Sequence, residues 1–410
     1  MAERTFVVVG GGLAGAKAVE SLRTEGFDGR VVLVAAEDEY PYERPPLSKE
    51  LLKGAKEADA ARVHPPHWYA DERVDLRMGT RATALDPGGH RVLLDGGEWL
   101  GYDALLLATG SQPRRLSLNG AAELPLHYLR TLSDATRLRA DLAGGGRRVL
   151  VVGAGWIGLE VAAAATEYGN DVTVLEPQPT PLFGVLGPEL GEVFAGVHRR
   201  HGVDLRTGTG VAGLAPSGDG ILVTDANGTG HEADVVVVGV GARPDTELAE
   251  AAGLAVDDGI VVDAALRASA PGVFAAGDVA RAYHPLLQQH IRVEHWANAL
   301  HSGPAAARSM LGQEVSFDRV PYFYTDQFDL GMEYSGFVAP GQQVRVVHRG
   351  DPQALEFISF WLDADDRVLA GMNVNVWDVV SDVQGLVRSG RPVDVQRLID
   401  PGVPLPEALQ

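Results

Sequence analysis

Two glycine clusters constrain this chain more than any other feature. Gly10, Gly12 and Gly15 follow the apolar run Val7-Val8-Val9 and open a helix-like stretch, and Gly153, Gly155 and Gly158 follow Leu150-Val151-Val152 and do the same. A bare GxGxxG is a weak signal, the more so in a chain with 50 glycines. Its context makes it strong. A strand that ends in a tight glycine turn and feeds a helix presents backbone N–H groups and the positive end of the helix dipole to a pyrophosphate. In each unit the second strand also ends in an acid, Glu37 after Val31–Ala36 and Glu176 after Val172–Leu175, where a carboxylate can accept from ribose hydroxyls. A third match, at Gly208, Gly210 and Gly213, runs into Leu214-Ala215-Pro216. No helix can begin there, so that match is set aside.

The order of elements gives the organisation. Phe6–Val9, the glycine turn, a helix over Leu13–Glu25 and Val31–Ala36 form a βαβ opening, hence a parallel sheet. The pattern restarts at Val149–Val152, and Pro- and Arg-bearing segments at Ser111–Arg115 and Ala242–Asp245 bracket it like two crossings between domains. From about residue 316 the rhythm changes to short antiparallel-looking runs at Gln343–Val347, Ala354–Leu362 and Val368–Val376, then a helix from Asp378. The predicted fold class is therefore α/β, with two Rossmann-like dinucleotide-binding domains, the second inserted in the first, and a C-terminal α+β domain. The expected boundaries are 1–113 with 244–316, then 114–243, then 317–410.

Composition narrows the chemistry. With no cysteine among 410 residues, disulfide scaffolds, thiolate metal sites, cysteine nucleophiles and dithiol relays are all excluded, so redox chemistry has to reside on a bound cofactor. No metal site is expected. A net charge of −20 opposes binding to nucleic acid or to anionic membrane surfaces. No stretch approaches the ~18 consecutive apolar residues of a membrane span, and the strand at Phe6 begins too early to follow a cleaved signal peptide. A soluble, cytoplasmic protein is expected.

Two further segments, Leu105-Leu106-Leu107 into Ala108-Thr109-Gly110 and Val273-Phe274 into Ala275-Ala276-Gly277-Asp278, are buried strands ending in small-residue turns. Asp278 fits either a helix N-cap or an acceptor for a cofactor polyol chain, and the neighbouring motifs favour the second. Taken in order, these motifs with Gly239-Val240-Gly241-Ala242-Arg243-Pro244 resemble the FAD-dependent pyridine nucleotide–disulfide oxidoreductase superfamily over nearly the whole chain. Tyr42-Glu43-Arg44-Pro45-Pro46-Leu47-Ser48-Lys49 is similar to its ferredoxin reductase type. Disulfide reductases carry their redox cysteines in this part of the chain, and here there are none. Tyr322-Phe323-Tyr324-Thr325-Asp326-Gln327 resembles a family stretch that often has Trp where this chain has Tyr324.

The resemblance implies FAD on the first domain and a nicotinamide dinucleotide on the second. It implies FAD contacts at Gly10, Gly12, Ala14, Gly15, Glu37, Arg44, Pro45, Lys49, Ala82, Ala108, Thr109, Gly110, Arg130, Gly277, Asp278, Glu294, His295 and Trp296, and NAD contacts at Gly153, Gly155, Ile157, Gly158, Glu160, Glu176 and Gly241. Arg44 and Arg130 suit pyrophosphate oxygens or surface salt bridges. Lys49 is implied near the flavin N5, where an ammonium favours the reduced ring, and Glu160 is placed to pair with it or to touch nicotinamide. Lys49 and Glu160 are the catalytic candidates, and His295 is assigned no acid–base role. Glu176 lies 23 positions after Gly153 and is followed by Pro177-Gln178-Pro179-Thr180-Pro181 without a cation, which predicts NADH over NADPH.

The activity so implied is hydride transfer from NADH to FAD and then single-electron transfer to a [2Fe–2S] ferredoxin feeding a monooxygenase or dioxygenase. Rubredoxin reductase or NADH oxidase activity is the enzymatic alternative, and a redox-gated FAD scaffold is the alternative of another class. Such ferredoxins are small and acidic, so Arg345, Arg349, Arg388, Arg391 and Arg397 are candidates for a local docking patch. A dispersed solvated surface explains the same arginines.

Overall fold

A computed structural model describes residues 3–410. The chain forms two compact units, one of residues up to Arg44 with Ala58–Gln112 and Ala242–Pro321, the other of Pro45–Glu57, Pro113–Gly241 and Tyr322–Gln410.

In the first unit a five-stranded parallel sheet runs in the order Val273–Ala275, Ala104–Leu107, Thr5–Val9, Arg30–Val34, Val74–Arg77. Apart from the edge strand Val74–Arg77, its strands are near-continuous apolar runs because both faces are covered. The helices Leu13–Thr24 and Trp296–Met310 pack on each other. Gly303 makes the approach possible, since a Cβ there would run into the Ala14 carbonyl oxygen. Two small sheets, Ala82–Asp86 with Arg91–Leu94 and Trp99–Gly101, and Ile260–Val262 with Ala280–His284 and Gln289–Arg292, complete this unit.

In the second unit a four-stranded parallel sheet runs Asp204–Thr207, Asp171–Glu176, Arg148–Val152, Val235–Val238, with the helices Trp156–Glu167 and Phe183–Arg200. Of the glycines set aside above, Gly208 lies in a bend, Gly210 in the irregular segment before the strand and Gly213 in the antiparallel strand Val211–Ser217, where no helix follows. The last part is a five-stranded antiparallel sheet, ordered Tyr322–Gln327, Leu330–Gly336, Val368–Val374, Glu356–Leu362, Arg345–Asp351. The helix expected from Asp378 begins at Val380, because Asn375 and Asp378 take left-handed backbone angles (φ 50° and 63°) that no helix tolerates.

The segment Pro45–Glu57, grouped with the first domain by sequence order, packs in the second unit. Leu52 is buried in that unit's core, its carbonyl accepts from the Tyr168 hydroxyl at 2.9 Å, and Lys53 pairs with Glu167 at 2.6 Å.

Candidate functional site

In the first unit the glycine turn is built by close approach. Gly10 has φ +126°, and a Cβ on it would collide with the Ala108 carbonyl. Gly12 is the N-cap of the Leu13–Thr24 helix, has no side-chain cap, and a Cβ there would meet nothing within 4 Å. An uncapped helix N-terminus that opens on clear space suits a pyrophosphate, as the sequence requires. The Ala108 turn is fixed by Ala108 N–H donating to the Val9 carbonyl at 2.8 Å and by the Thr109 hydroxyl donating to the Asp245 carbonyl at 2.7 Å.

The other first-unit candidates converge on this turn. Gly277 (φ +76°) packs against Ala14 and its N–H donates to Ser302 Oγ at 3.0 Å, while Asp278 accepts from the Ser111 hydroxyl at 2.9 Å. His295 is the N-cap of the Trp296–Met310 helix; burial pushes its pKa down to about 4, opposed by the Asp278 charge, so its ring is neutral at pH 7.

Two of the expected cofactor contacts, Glu37 and Glu294, are also ion-paired. Arg44 lies against Glu37, with its Nη2 2.8 Å from Oε1, and the Tyr42 hydroxyl donates to Glu37 as well. Burial works against the Arg44 charge, but Tyr42, Glu37 and Asp278 together outweigh it and raise its pKa. Arg44 and Glu37, assigned to pyrophosphate and ribose separately, thus form one ion pair. Glu294, an expected cofactor contact, is engaged by Arg292, which also reaches Asp258. Ala82 opens a strand paired with Leu94.

In the second unit Gly153 (φ +97°) brings the turn to within 2.6 Å, measured from a would-be Cβ, of the Gly239 carbonyl oxygen. Gly155 caps the Trp156–Glu167 helix without a side-chain bond. The same cradle is therefore built twice. Ile157, in the first turn of that helix, is 43% exposed. Glu176 is buried and held from both sides, by Ala154 N–H at 2.7 Å to Oε2 and by Gln178 N–H at 2.8 Å to Oε1. It braces the glycine turn as well as ending the strand, and it keeps spare lone pairs for a ribose. Gly241 accepts from Arg114 N–H at 2.9 Å, and Arg130 N–H donates to Asp134 at 3.2 Å beside a helix N-terminal capping box.

Lys49 and Glu160 meet, as the sequence suggested. Lys49 Nζ is 2.6 Å from Glu160 Oε1, Ser48 Oγ donates to Oε2, and Glu160 is 4% exposed. The Lys49 ammonium lies 5.2 Å from the Tyr324 ring centroid, a cation–π contact. A buried ion pair is tolerated only with further hydrogen bonds to its remaining lone pairs, and sequence reasoning missed the groups that supply them here. Ser48 and Thr325 complete the shell, with Thr325 165 positions from Glu160. Both lie in stretches that were singled out, yet nothing in either stretch marks the hydroxyl as a partner.

The arginine patch is largely engaged within its own domain. Arg345 pairs with Asp366 at 2.5 Å and Arg397 with Glu407 at 3.0 Å; Arg349 donates to the Leu398 and Pro401 carbonyls, and Arg391 to that of Gln410. Carboxylates thus cancel much of the positive field expected at Arg345 and Arg397.

Known proteins place this geometry. Residues 4–303 match the pyridine nucleotide-disulphide oxidoreductase family and residues 322–409 match the reductase C-terminal family. The chain is 40% identical over 406 residues to the ferredoxin–NAD(+) reductase component of the anthranilate 1,2-dioxygenase system of Burkholderia cepacia, covering 99% of each. It is 37% identical to putidaredoxin reductase of Pseudomonas putida, covering 100% of this chain and 97% of that protein. The reductase in the covalent putidaredoxin reductase–putidaredoxin complex superposes with a TM-score of 0.95 at 36% identity, covering 100% of this chain and 98% of that one.

Proposed function

Since the chain belongs to the pyridine nucleotide-disulphide oxidoreductase family, we propose that it is an NADH-dependent, FAD-containing reductase of a small [2Fe–2S] ferredoxin that serves an oxygenase system. The observation that carries the reading is the cradle built twice in a cysteine-free chain: two glycine turns, each at the end of a parallel strand and each followed by a helix with no side-chain cap. Bound FAD supplies what side chains cannot, acceptance of a hydride and release of electrons one at a time.

The chain's residues hold and orient. The Gly10–Gly15 turn and helix N-terminus take the FAD pyrophosphate, with Glu37 at ribose and Asp278 at the polyol; the Arg44–Glu37 pair can reopen to give Arg44 to the phosphates. Gly153–Gly158 and Glu176 take NADH in the same manner. Lys49, anchored by Glu160, would offer a fixed ammonium to the anionic reduced flavin; holding reactants in place is a large part of the rate such a site can supply. Among the described residues no helix is long and apolar enough to cross a membrane, and we place the protein in the cytoplasm.

The test is NADH oxidation by purified protein with candidate [2Fe–2S] ferredoxins in a cytochrome c coupled assay. Ferredoxin-dependent cytochrome reduction is expected. Transfer to rubredoxin alone, or to oxygen alone, would replace this reading with one of the enzymatic alternatives. Slow flavin reduction with a long-lived NADH charge-transfer complex would favour the scaffold.

A further inference from the structure

Three residues that take no part in the function above extend the Lys49–Glu160 pair into the interior of the second unit. Thr325 Oγ1 donates to Glu160 Oε1 at 2.5 Å, Gln327 Nε2 donates to Thr325 Oγ1 at 3.1 Å, and His198 Nε2 faces Gln327 Oε1 at 2.9 Å. His198 and Gln327 are fully buried and Thr325 is 1% exposed. Polar groups at such depth are costly unless each is satisfied, and a satisfied chain polarises along its length.

This chain runs one way. An ionised Glu160 only accepts, so the Thr325 hydroxyl gives its hydrogen to the carboxylate and must itself accept from the Gln327 amide. The carboxamide oxygen is then left facing His198, which has to donate from Nε2. The other ring nitrogen, Nδ1, has no hydrogen-bond partner among the described residues. A proton there would be a buried donor without an acceptor, which is worse than a bare lone pair. Every hydrogen between His198 and Glu160 therefore points toward the carboxylate.

We propose that His198, Gln327 and Thr325 are positioning residues, a one-way string of donors that holds the Glu160 carboxylate in one orientation and so fixes the Lys49 ammonium. Ser48 is the remaining donor to Glu160. The charged and titratable groups around the string are Lys49 and Asp326 at one end, with Glu50 and Lys53 farther off, and His201 beside His198 at the other. The consequence for electron transfer rests on the function proposed above. The direction of the string does not.

Two measurements test it. Ring ¹⁵N NMR of His198 in the full chain should show the Nε2–H tautomer; an Nδ1–H tautomer would reverse the string and overturn the proposal. The second is the flavin midpoint potential, read by spectroelectrochemical titration. Glu160→Gln removes a negative charge and should raise the potential. Thr325→Val should raise it by less, Thr325→Ser should restore it, and Thr325→Val should add nothing in the Glu160→Gln background, because residues acting through one group are not additive. His198→Phe should move the potential in the same direction as Thr325→Val. An equal Thr325→Val shift in both backgrounds, or no shift from His198→Phe, would overturn the proposal. A protein that binds no flavin would refute the proposed function instead, and the His198 tautomer would still decide this one.

Discussion

Removing the Glu176 carboxylate should do more than relax nucleotide choice. Its two oxygens accept from Ala154 N–H at 2.7 Å and Gln178 N–H at 2.8 Å, and Ala154 is fully buried. In Glu176→Ala the Ala154 donor has no replacement, and leaving such a group unsatisfied costs about 1–3 kcal/mol. The Gln178 donor is only part-buried and can turn to water, so it adds little. At about 2 kcal/mol the loss corresponds to roughly a thirtyfold fall in affinity, or a drop of roughly 4–8 °C in the midpoint of the affected unit. Thermal denaturation without nucleotide and steady-state NADH and NADPH kinetics with ferricyanide divide it between these two forms. If Glu176 also faces the ribose, NADH kcat/KM falls further than NADPH kcat/KM, because the 2′-phosphate loses a repelling charge while NADH loses an acceptor. Equal falls for the two nucleotides would show that Glu176 only braces the turn. Unchanged stability and kinetics would refute the argument from its two backbone bonds.

Asp278→Ala should yield protein largely free of flavin, since the polyol acceptor and the anchor of Ser111 are lost together; full flavin absorbance in the purified variant would refute that assignment. Acid should weaken the fold through His198, whose pKa burial lowers to about 4 from the 6.5 it has when exposed. The unfolded chain takes this proton first as pH falls, so the contribution is complete above pH ~6.5 and about 3 kcal/mol is lost by pH ~4. His198→Phe should flatten the stability profile across that window, and an equally steep profile in urea titrations would contradict the cause. Because Asp366 already neutralises Arg345, Arg345→Gln should change the ferredoxin KM by no more than about twofold at low salt, in line with an exposed pair worth under ~1 kcal/mol. A tenfold rise with ferricyanide turnover intact would restore Arg345 to docking.

What was legible in the sequence is what depends on local chain order. Strand, glycine turn and helix are neighbours in sequence, so both cradles could be read from Val7–Gly15 and Leu150–Gly158, and their acids from the next strand. Lys49 with Glu160 was legible only through resemblance, since 111 residues separate them. Thr325, Gln327 and His198 gave no signal, because a buried hydroxyl, amide and imidazole are recognised by what they face, and here that is fixed by tertiary packing. Charge pairing was illegible for the same reason. Arg345, Arg349, Arg391 and Arg397 look like a basic cluster in sequence, but Asp366, Glu407 and main-chain carbonyls meet them in the fold. The Arg44–Glu37 pair likewise joins two residues that had been given separate ligands.

This chain takes electrons in pairs from NADH and delivers them singly to an iron–sulfur protein. An anaerobic titration of the purified holoprotein, followed by absorbance, tests it most directly. One NADH per chain should bleach the flavin band and two equivalents of oxidised [2Fe–2S] ferredoxin should restore it, as electron balance requires. A protein without a flavin band, or a flavin that NADH bleaches but no [2Fe–2S] ferredoxin reoxidises, would contradict it.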